Sequence, residues 1–187
     1  ADKEIVVIGS GATAVTLVPA LADAAKHVTM LQRSPSYILQ LPNIDPVAAF
    51  CARYLPASIG NTIMRCKNIF EQQVTYAASR VWNDGVRNLL ILGMKMNLKK
   101  GYDVKAHFTP KYPVLTQRLC LSPDTDFTDA INNKGVTVIT DSIDCVTETG
   151  IQLASGTRLD ADIIVTATGF DLCALGGVQV EIDGVVI

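Results

Sequence analysis

The stretch Glu4-Ile5-Val6-Val7-Ile8-Gly9-Ser10-Gly11-Ala12-Thr13-Ala14 decides the fold of this 187-residue chain. Its apolar, β-branched half predicts a buried strand, and its small residues predict a tight turn followed by a helix. Gly9 and Gly11 can adopt backbone angles closed to other residues, and they leave no side chain between the main chain and a bound pyrophosphate. The free N–H groups at the start of the helix form an anion site. Ala14 fills the third small position of the G-x-G-x-x-G/A pattern, where helix and strand pack closely.

The residues around this turn favour a dinucleotide-binding βαβ unit. An apolar helical pattern follows over residues 15–21, and a second apolar strand follows over residues 28–31. A methyltransferase or a purely structural turn could carry the same glycine pair, so the glycines alone do not decide the ligand. Within the unit, the predicted nucleotide contacts are Gly9, Ser10, Gly11, Ala12, Thr13 and Ala14.

The residues after the second strand predict NADP rather than NAD. An NAD site places an acidic residue here to bind the ribose 2′-hydroxyl, but residues 32–37 contain no acid. Arg33 instead offers a guanidinium, and Ser34 a hydroxyl, both suited to a 2′-phosphate. The alternative interpretation is a solvated arginine at a strand end.

Composition excludes several classes of partner. A net charge of −2 and a pI near 5.6 provide no basic field for nucleic acid. The five cysteines are odd in number and contain no C-x-x-C, which argues against a disulfide framework and favours a reducing cytoplasm. Neither His27 nor His107 has a partner at metal-ligand spacing, so we expect no metal.

The middle of the chain changes character. Apolar residues at helical spacing predict a helical insertion over about 45–107. Large apolar side chains in it are predicted to be core rather than the lining of a substrate passage; these are Phe50, Phe70, Trp82, Met94 and Met96. The proline-containing stretch 108–119 is predicted to be a loop, and loops on α/β scaffolds often carry chemistry.

The last part of the chain is rich in predicted strands. Those over 136–139, 143–147, 151–153 and 157–159 predict a β-meander. A buried strand is predicted over 162–166, and a terminal hairpin is predicted to turn at Asp183-Gly184. The small residues after the buried strand let a ligand come close, so the predicted contacts here are Thr166, Ala167, Thr168 and Gly169. The predicted fold class is α/β: a Rossmann-like dinucleotide-binding domain with a parallel sheet, a β-meander and a helical insertion.

Four stretches taken together resemble the class B flavoprotein monooxygenases. They are Gly9–Ala14, Gln32–Pro35, Gln117–Leu119 and Ala167–Gly169, in this order. The resemblance is strongest to the Baeyer–Villiger group and, within it, to the branch of the bacterial ethionamide-activating monooxygenases. It runs over nearly the whole chain and is far more specific than the glycine turn alone.

The resemblance implies that residues 1–187 form the NADPH-binding domain of a longer flavoprotein, with the helical insertion at about 45–107. FAD would be held mostly by segments outside these residues, so the isolated chain is expected to be inactive. The implied partners are those FAD-domain segments and a small-molecule ketone or sulfide. The implied reaction inserts one oxygen atom from O2 into a ketone to give an ester or lactone, or oxidises a heteroatom.

The resemblance also assigns residue roles. It gives the glycine turn to the pyrophosphate, Arg33 and Ser34 to the 2′-phosphate, and Arg118 to the active-site arginine, which would stabilise negative charge. Gln117, a further predicted cofactor contact, stands where several family members carry a lysine that touches the 2′-phosphate. Arg33 would therefore carry more of the NADP preference in this chain.

Two other classes stay open. Another flavin oxidoreductase with paired dinucleotide folds, such as a disulfide reductase, would share the glycine turn but should carry a redox cysteine pair, which the sequence lacks. A non-catalytic nucleotide-binding module would share the turn and Arg33 without needing an arginine in the 108–119 loop.

Overall fold

A computed structural model describes residues 2–170 and 173–186. In chain order the strands are β1 (Glu4–Ile8), β2 (His27–Gln32), β3 (Tyr37–Leu41), β4 (Leu119–Pro123), β5 (Val136–Thr140), β6 (Ile143–Thr147), β7 (Gly150–Leu153), β8 (Arg158–Asp160), β9 (Ile163–Thr166), β10 (Glu181–Ile182) and β11 (Val185–Val186). The α-helices are α1 (Ala12–Ala22), α2 (Pro46–Tyr54), α3 (Ala57–Val81), α4 (Asn83–Asn97), α5 (Val104–Phe108) and α6 (Asp126–Asn133). A 3₁₀ helix covers Ala174–Gly177.

The centre of the fold is a four-stranded sheet in the order β5-β2-β1-β9. All three ladders are parallel, and Ile8 is paired with Leu31 on one side and with Thr166 on the other. The chain builds outward from β1 through β2 to β5 and then returns to the opposite side of β1 with β9. The strand order therefore reverses at β1, which is where open α/β sheets bind ligands. The predicted Rossmann-like α/β fold is confirmed.

Both faces of the sheet are covered, which explains the unbroken apolar run in β1. Ile5 and Val7 pack into the larger core, which contains the buried face of α1. Val6 belongs to a second cluster on the opposite face, together with Ile151 and Leu153 of β7. Successive residues of a strand point to opposite faces, so a strand buried on both sides needs apolar residues at every position.

The predicted β-meander is only partly correct. Strands β6, β7 and β8 form it as an antiparallel sheet, whereas β5 belongs to the central sheet beside β2. The predicted strand before Ala167 is confirmed as β9, which pairs with β1, but its predicted burial is wrong because Ile163 and Thr166 are exposed. The terminal hairpin is confirmed: β10 pairs with β11, and Asp183 and Gly184 both have positive φ, which suits a two-residue turn.

Four helices, α2 to α5, occupy residues 46–108 and expose much of their apolar surface. Met94 is buried at 3% exposure, but Met96 is 75% exposed. The core prediction is wrong for Phe50, Phe70 and Trp82 as well as for Met96, because all of them are exposed. The buried residues of α3 are Gly60 and Ser79, so this long helix stands away from the sheet. Helical periodicity predicts an apolar face, but it does not predict what covers that face.

No sequence pattern predicted the pairing between β3 and β4. These strands form a separate parallel ladder that joins Tyr37 to Leu119 and Leu41 to Pro123. The predicted loop connects α5 to β4. Residues 109–118 of it are irregular. Helix α6 was not predicted either; it follows β4 and packs on α1 with Phe127 fully buried.

Residues 2–170 and 173–186 contain neither a membrane-spanning helix nor a cluster of metal-ligating side chains. No helix in these ranges combines the length and apolarity needed to cross a membrane. In the same ranges, no three His, Cys, Asp or Glu side chains lie together as a possible metal site.

The glycine turn should be far less tolerant of a methyl group than a helical glycine. Gly9→Ala would force a φ of +135° on alanine and drive its Cβ into the carbonyl of Ala167, so the free energy of unfolding should fall by at least about 1–3 kcal/mol. Gly93→Ala is the matched control, because Gly93 lies inside α4 with open space around it, and it should gain about 0.5–1 kcal/mol. Urea unfolding followed by circular dichroism measures both. Similar effects of the two substitutions would contradict the close contact.

Candidate nucleotide-binding site

A large cavity lies at the carboxyl edge of the central sheet, where the strand order reverses. Its volume is about 620 Å³. Residues that follow β1, β2, β5 and β9 meet there with the loop that precedes β4. The lining residues are Ile8, Gly9, Ser10, Leu31, Arg33, Ser34, Pro35, Ser36, Tyr112, Gln117, Arg118, Asp141, Ser142, Ile143, Ala167 and Thr168.

Gly9 lines the cavity at the point where the ends of β1, β2 and β9 are hydrogen-bonded together. Its N–H donates to the carbonyl of Leu31 at 2.8 Å, and the N–H of Ala167 donates to the carbonyl of Ile8 at 2.7 Å. An added Cβ at Gly9 would lie only 2.8 Å from the carbonyl carbon of Ala167, and φ is +135°. Both conditions exclude a side chain, so the backbone here is bare toward the cavity.

Gly11 differs from Gly9 in its backbone geometry. Its φ of −82° is open to any residue, so it does not need a special backbone angle. An added Cβ would instead lie 3.2 Å from a terminal nitrogen of Arg118. Gly11 also begins α1 as its N-cap without a side-chain hydrogen bond, which leaves the first N–H groups of the helix free for an anion. Ala14 is fully buried where α1 packs on the sheet, as the pattern predicts.

Ser10 ties the glycine turn to the segment after β2. Its hydroxyl lies 2.9 Å from the Ser36 hydroxyl and also donates to the carbonyl of Ser34 at 3.2 Å. The buried thiol of Cys120, in β4, donates to the carbonyl of Ser10 at 3.5 Å. Burial raises the pKa of Cys120, and the neighbouring Arg118 opposes that rise. These contacts fix the position of the Arg33-Ser34 pair relative to the turn.

Arg33 and Ser34 are exposed and border the cavity. Within the described ranges, none of the ion pairs involves Arg33. Its guanidinium therefore keeps five donors for a ligand, and it lies one strand away from the glycine turn.

Arg118 reaches the same cavity from the loop before β4. Its guanidinium lies between two glycines, with terminal nitrogens 3.2 Å and 3.4 Å from where a Cβ on Gly11 or Gly169 would be. The Tyr112 hydroxyl donates to the carbonyl of Arg118 at 3.2 Å, and the Tyr37 hydroxyl donates to the carbonyl of Tyr112 at 2.8 Å. The two tyrosine rings meet edge to face with centroids 5.3 Å apart. Strand β3 thus holds the loop that carries Arg118.

The loop has a second anchor on the helical side. A terminal nitrogen of Arg87 in α4 donates to the carbonyl of Pro110 at 3.2 Å. The sheet ladder between β3 and β4, the tyrosine pair and this bond hold the loop from different directions. An arginine far from the glycine turn in sequence is thereby positioned beside it.

The structure brings most of the predicted site residues together at one cavity. Those that line it are Gly9, Ser10, Arg33, Ser34, Gln117, Arg118, Ala167 and Thr168. Gly11 and Gly169 touch it through the Arg118 side chain. Ala12 and Thr13 are exposed in the first turn of α1, Ala14 is buried behind them, and Thr166 is exposed at the end of β9. The ligand contacts of these residues stay predictions.

Asp141 lines the cavity and was missed by the sequence analysis. Its N–H donates to the carbonyl of Gln32 at 2.9 Å, and its Oδ1 accepts from the N–H of Ser142 at 2.7 Å. The pKa of Asp141 is held below its usual range mainly by a hydrogen bond from the Ser155 hydroxyl and, to a smaller extent, by one from the Ser142 N–H. Had β5 been assigned to the parallel sheet, the residue after it would have been a candidate, because parallel strands end at one edge.

The chain is similar to known flavin enzymes, although no protein-family model matches it. It is 51% identical over 183 residues to the FAD-containing monooxygenase EthA of Mycobacterium tuberculosis strain H37Rv, a match that covers 97% of this chain and 37% of EthA. Among solved structures, the FAD-bound form of OTEMO superimposes with a TM-score of 0.69 at 20% identity, covering 99% of this chain and 42% of that one.

A second solved structure, oxidised steroid monooxygenase bound to NADP, superimposes with a TM-score of 0.65 at 20% identity over 91% of this chain and 39% of that one. At this identity the structural likeness shows the fold alone. The chain spans little more than a third of the length of EthA. Over that length, the resemblance to flavoprotein monooxygenases noted in the sequence is confirmed: the chain is similar to one segment of the FAD-containing monooxygenases.

Proposed function

We propose that residues 1–187 form the NADPH-binding domain of an FAD-dependent monooxygenase, with the helical insertion at about 45–107. The observation that carries this proposal is the placement of Arg33, free of any carboxylate in the described structure, at the carboxyl edge of β2 beside the glycine turn. The name of EthA and the NADP bound to the steroid monooxygenase agree with it.

The cavity fits a dinucleotide phosphate. Its volume of about 620 Å³ is within the usual range of ligand pockets. Gly9 has no room for a side chain, so a pyrophosphate can approach the backbone there. The uncapped start of α1 offers N–H donors, and Arg33 with Ser34 offers a cation and a hydroxyl for a 2′-phosphate.

In this proposal the chain's own residues bind and orient the cofactor. The turn and the first residues of α1 hold the pyrophosphate, Arg33 and Ser34 bind the 2′-phosphate, and Ala167 with Thr168 border the path toward the nicotinamide. Gln117 offers an amide where a lysine is found in several family members. When bound, NADPH supplies the hydride that reduces FAD, and FAD supplies the activation of O2.

Arg118 is the proposed catalytic residue. Arg118 is exposed and lines the cavity, and the Tyr112 hydroxyl holds its backbone by donating to the Arg118 carbonyl. A fixed cation there stabilises negative charge that develops as oxygen is transferred, and it acts strongly where water is excluded. The proposed substrates are small ketones, converted into esters or lactones, or sulfides, oxidised at sulfur.

The remaining partners belong to the same proposal. FAD would be bound mainly by FAD-domain segments outside these residues, so the chain alone should bind NADPH without turning it over. All five cysteines are free, which suits a cytoplasmic site.

Loss of the Arg33 guanidinium should remove the preference for NADPH. Arg33→Ala should weaken NADPH binding by about 1.5–3 kcal/mol, because a charge-assisted contact to the 2′-phosphate is lost, and should leave NADH binding nearly unchanged. Arg65→Ala, which removes an exposed arginine from α3 away from the cavity, is the matched control. Titration calorimetry of the chain with both nucleotides measures the effect. Equal affinity of the wild-type chain for NADPH and NADH would contradict the assignment.

Arg118 should matter more for oxygen transfer than for NADPH binding. The test enzyme is EthA with its homologous segment replaced by this chain, so that an FAD-binding part is present. In that chimera Arg118→Ala should lower ester formation by about 10²–10³ and divert oxygen uptake to hydrogen peroxide. Arg118→Lys should recover part of the rate, since it keeps the charge but not the planar fork.

The readout is ester and hydrogen peroxide formed per NADPH oxidised, together with the NADP affinity. The parent chimera must form ester, and it serves as the reference. An Arg118→Ala enzyme with unchanged ester yield would show that Arg118 is not catalytic. A variant that loses NADP affinity alone would place Arg118 with Arg33 as a cofactor anchor.

A further inference from the structure

Asp141 is the one carboxylate among the residues that line the cavity described above. The backbone on either side of it is held firmly: Thr140 is paired with Gln32 in the ladder, and the Asp141 N–H donates to the Gln32 carbonyl at 2.9 Å. The residue is half-buried, so its carboxylate is reachable from the cavity. The nucleotide contacts proposed so far leave this group without a role.

Its position along the sheet corresponds to one end of a bound dinucleotide. Neighbouring strands lie about 4.8 Å apart, so Asp141, two strands from the glycine turn, lies on the order of 10 Å along the edge from it. Arg33 lies between them, after β2. A nucleotide with its pyrophosphate at the turn and its ribose phosphate at Arg33 must place its base next along this row, at the end of β5.

We propose that Asp141 recognises the base of the nucleotide by accepting a hydrogen bond from the 6-amino group of adenine. This inference rests on the proposed NADPH site. Ile143 is exposed at the cavity and supplies apolar surface beside the carboxylate, which suits the face of a purine ring. Arg33 on the other side can stack its planar guanidinium on the same ring while it binds the 2′-phosphate.

The hydrogen-bonding capacity of the carboxylate supports this role. An ionised carboxylate only accepts, and its two oxygens offer about four acceptor sites. One oxygen accepts from the N–H of Ser142 at 2.7 Å, and the Ser155 hydroxyl, which lowers the pKa of Asp141, helps to keep the group ionised. The remaining sites accept an amino group but repel an oxo group at the same position of the ring.

The experiment compares NADPH with reduced nicotinamide hypoxanthine dinucleotide phosphate, in which an oxo group replaces the 6-amino group. Titration calorimetry of the wild-type chain should give at least about 10-fold tighter binding of NADPH, as expected for a hydrogen bond to a charged group. Asp141→Ala should reduce this ratio to below about 3-fold. Asp144→Ala is the matched control: it removes an exposed carboxylate from β6 outside the cavity lining and should leave the ratio unchanged.

Asp141→Asn separates recognition from folding, because it keeps an acceptor for Ser142 and nearly the same shape. Its amide can donate to an oxo group, so its relative affinity should shift toward the hypoxanthine nucleotide even if Asp141→Ala does not fold. A wild-type chain that binds both nucleotides equally would overturn the inference while leaving the NADPH site intact. Equal weakening of both nucleotides by Asp141→Asn would overturn it too, because that is the signature of a structural role. Binding of neither nucleotide to the wild-type chain would defeat both this inference and the proposed function.

Discussion

The contact between the backbone of Gly9 and the carbonyl of Ala167 is the constraint on which the site depends. It is possible only without a side chain at position 9, and it brings the ends of β1 and β9 together. The same residue donates to Leu31, so the end of β2 is fixed by it as well. One glycine therefore sets the geometry of the edge at which the strand order reverses. A bare backbone at that point and an uncapped helix behind it together make an anion site.

The charged groups around this edge come from separate parts of the chain. Arg33 follows β2 directly, Asp141 follows β5, and Arg118 arrives from a loop that two tyrosines and the β3–β4 ladder hold in place. The roles proposed for them divide three tasks along one cavity: phosphate binding, base recognition and charge stabilisation near the reacting atoms. Each task uses the end of a different element, which is how α/β folds commonly build their sites.

Local sequence patterns were sufficient to predict the glycine turn, α1 and the position of the Arg33-Ser34 pair. Each follows from residues adjacent in the chain, and the structure has them where the pattern predicts. Local patterns were not sufficient to place β5 in its sheet, because alternating apolar residues predict a strand but not the strand with which it pairs. The assignment of β5 to a meander hid Asp141, which becomes a candidate only when its strand ends at the same edge as β2.

Contacts between residues far apart in the chain could not be predicted from the sequence either. The parallel pairing of Tyr37 with Leu119 joins residues far apart in sequence, and no local signal encodes it. Apolar residues at helical spacing predicted the amphipathic helices correctly. They wrongly assigned Phe70 and Trp82 to the core, because both side chains are exposed. The loop that carries Arg118 was recognised as irregular, yet its position against Gly11 depends on tertiary contacts that only the structure provides.

The proposed site binds a dinucleotide phosphate along the carboxyl edge from Gly9 to Asp141. Titration of the ¹⁵N-labelled chain with NADP⁺, followed by amide chemical shifts, tests this proposal. We expect the largest shifts on the amides of residues 10–13, on those of Arg33 and Ser34, and at the end of β5, with the amides of α3 unchanged. Shifts confined to the exposed helices, or no shifts at saturating NADP⁺, would contradict it.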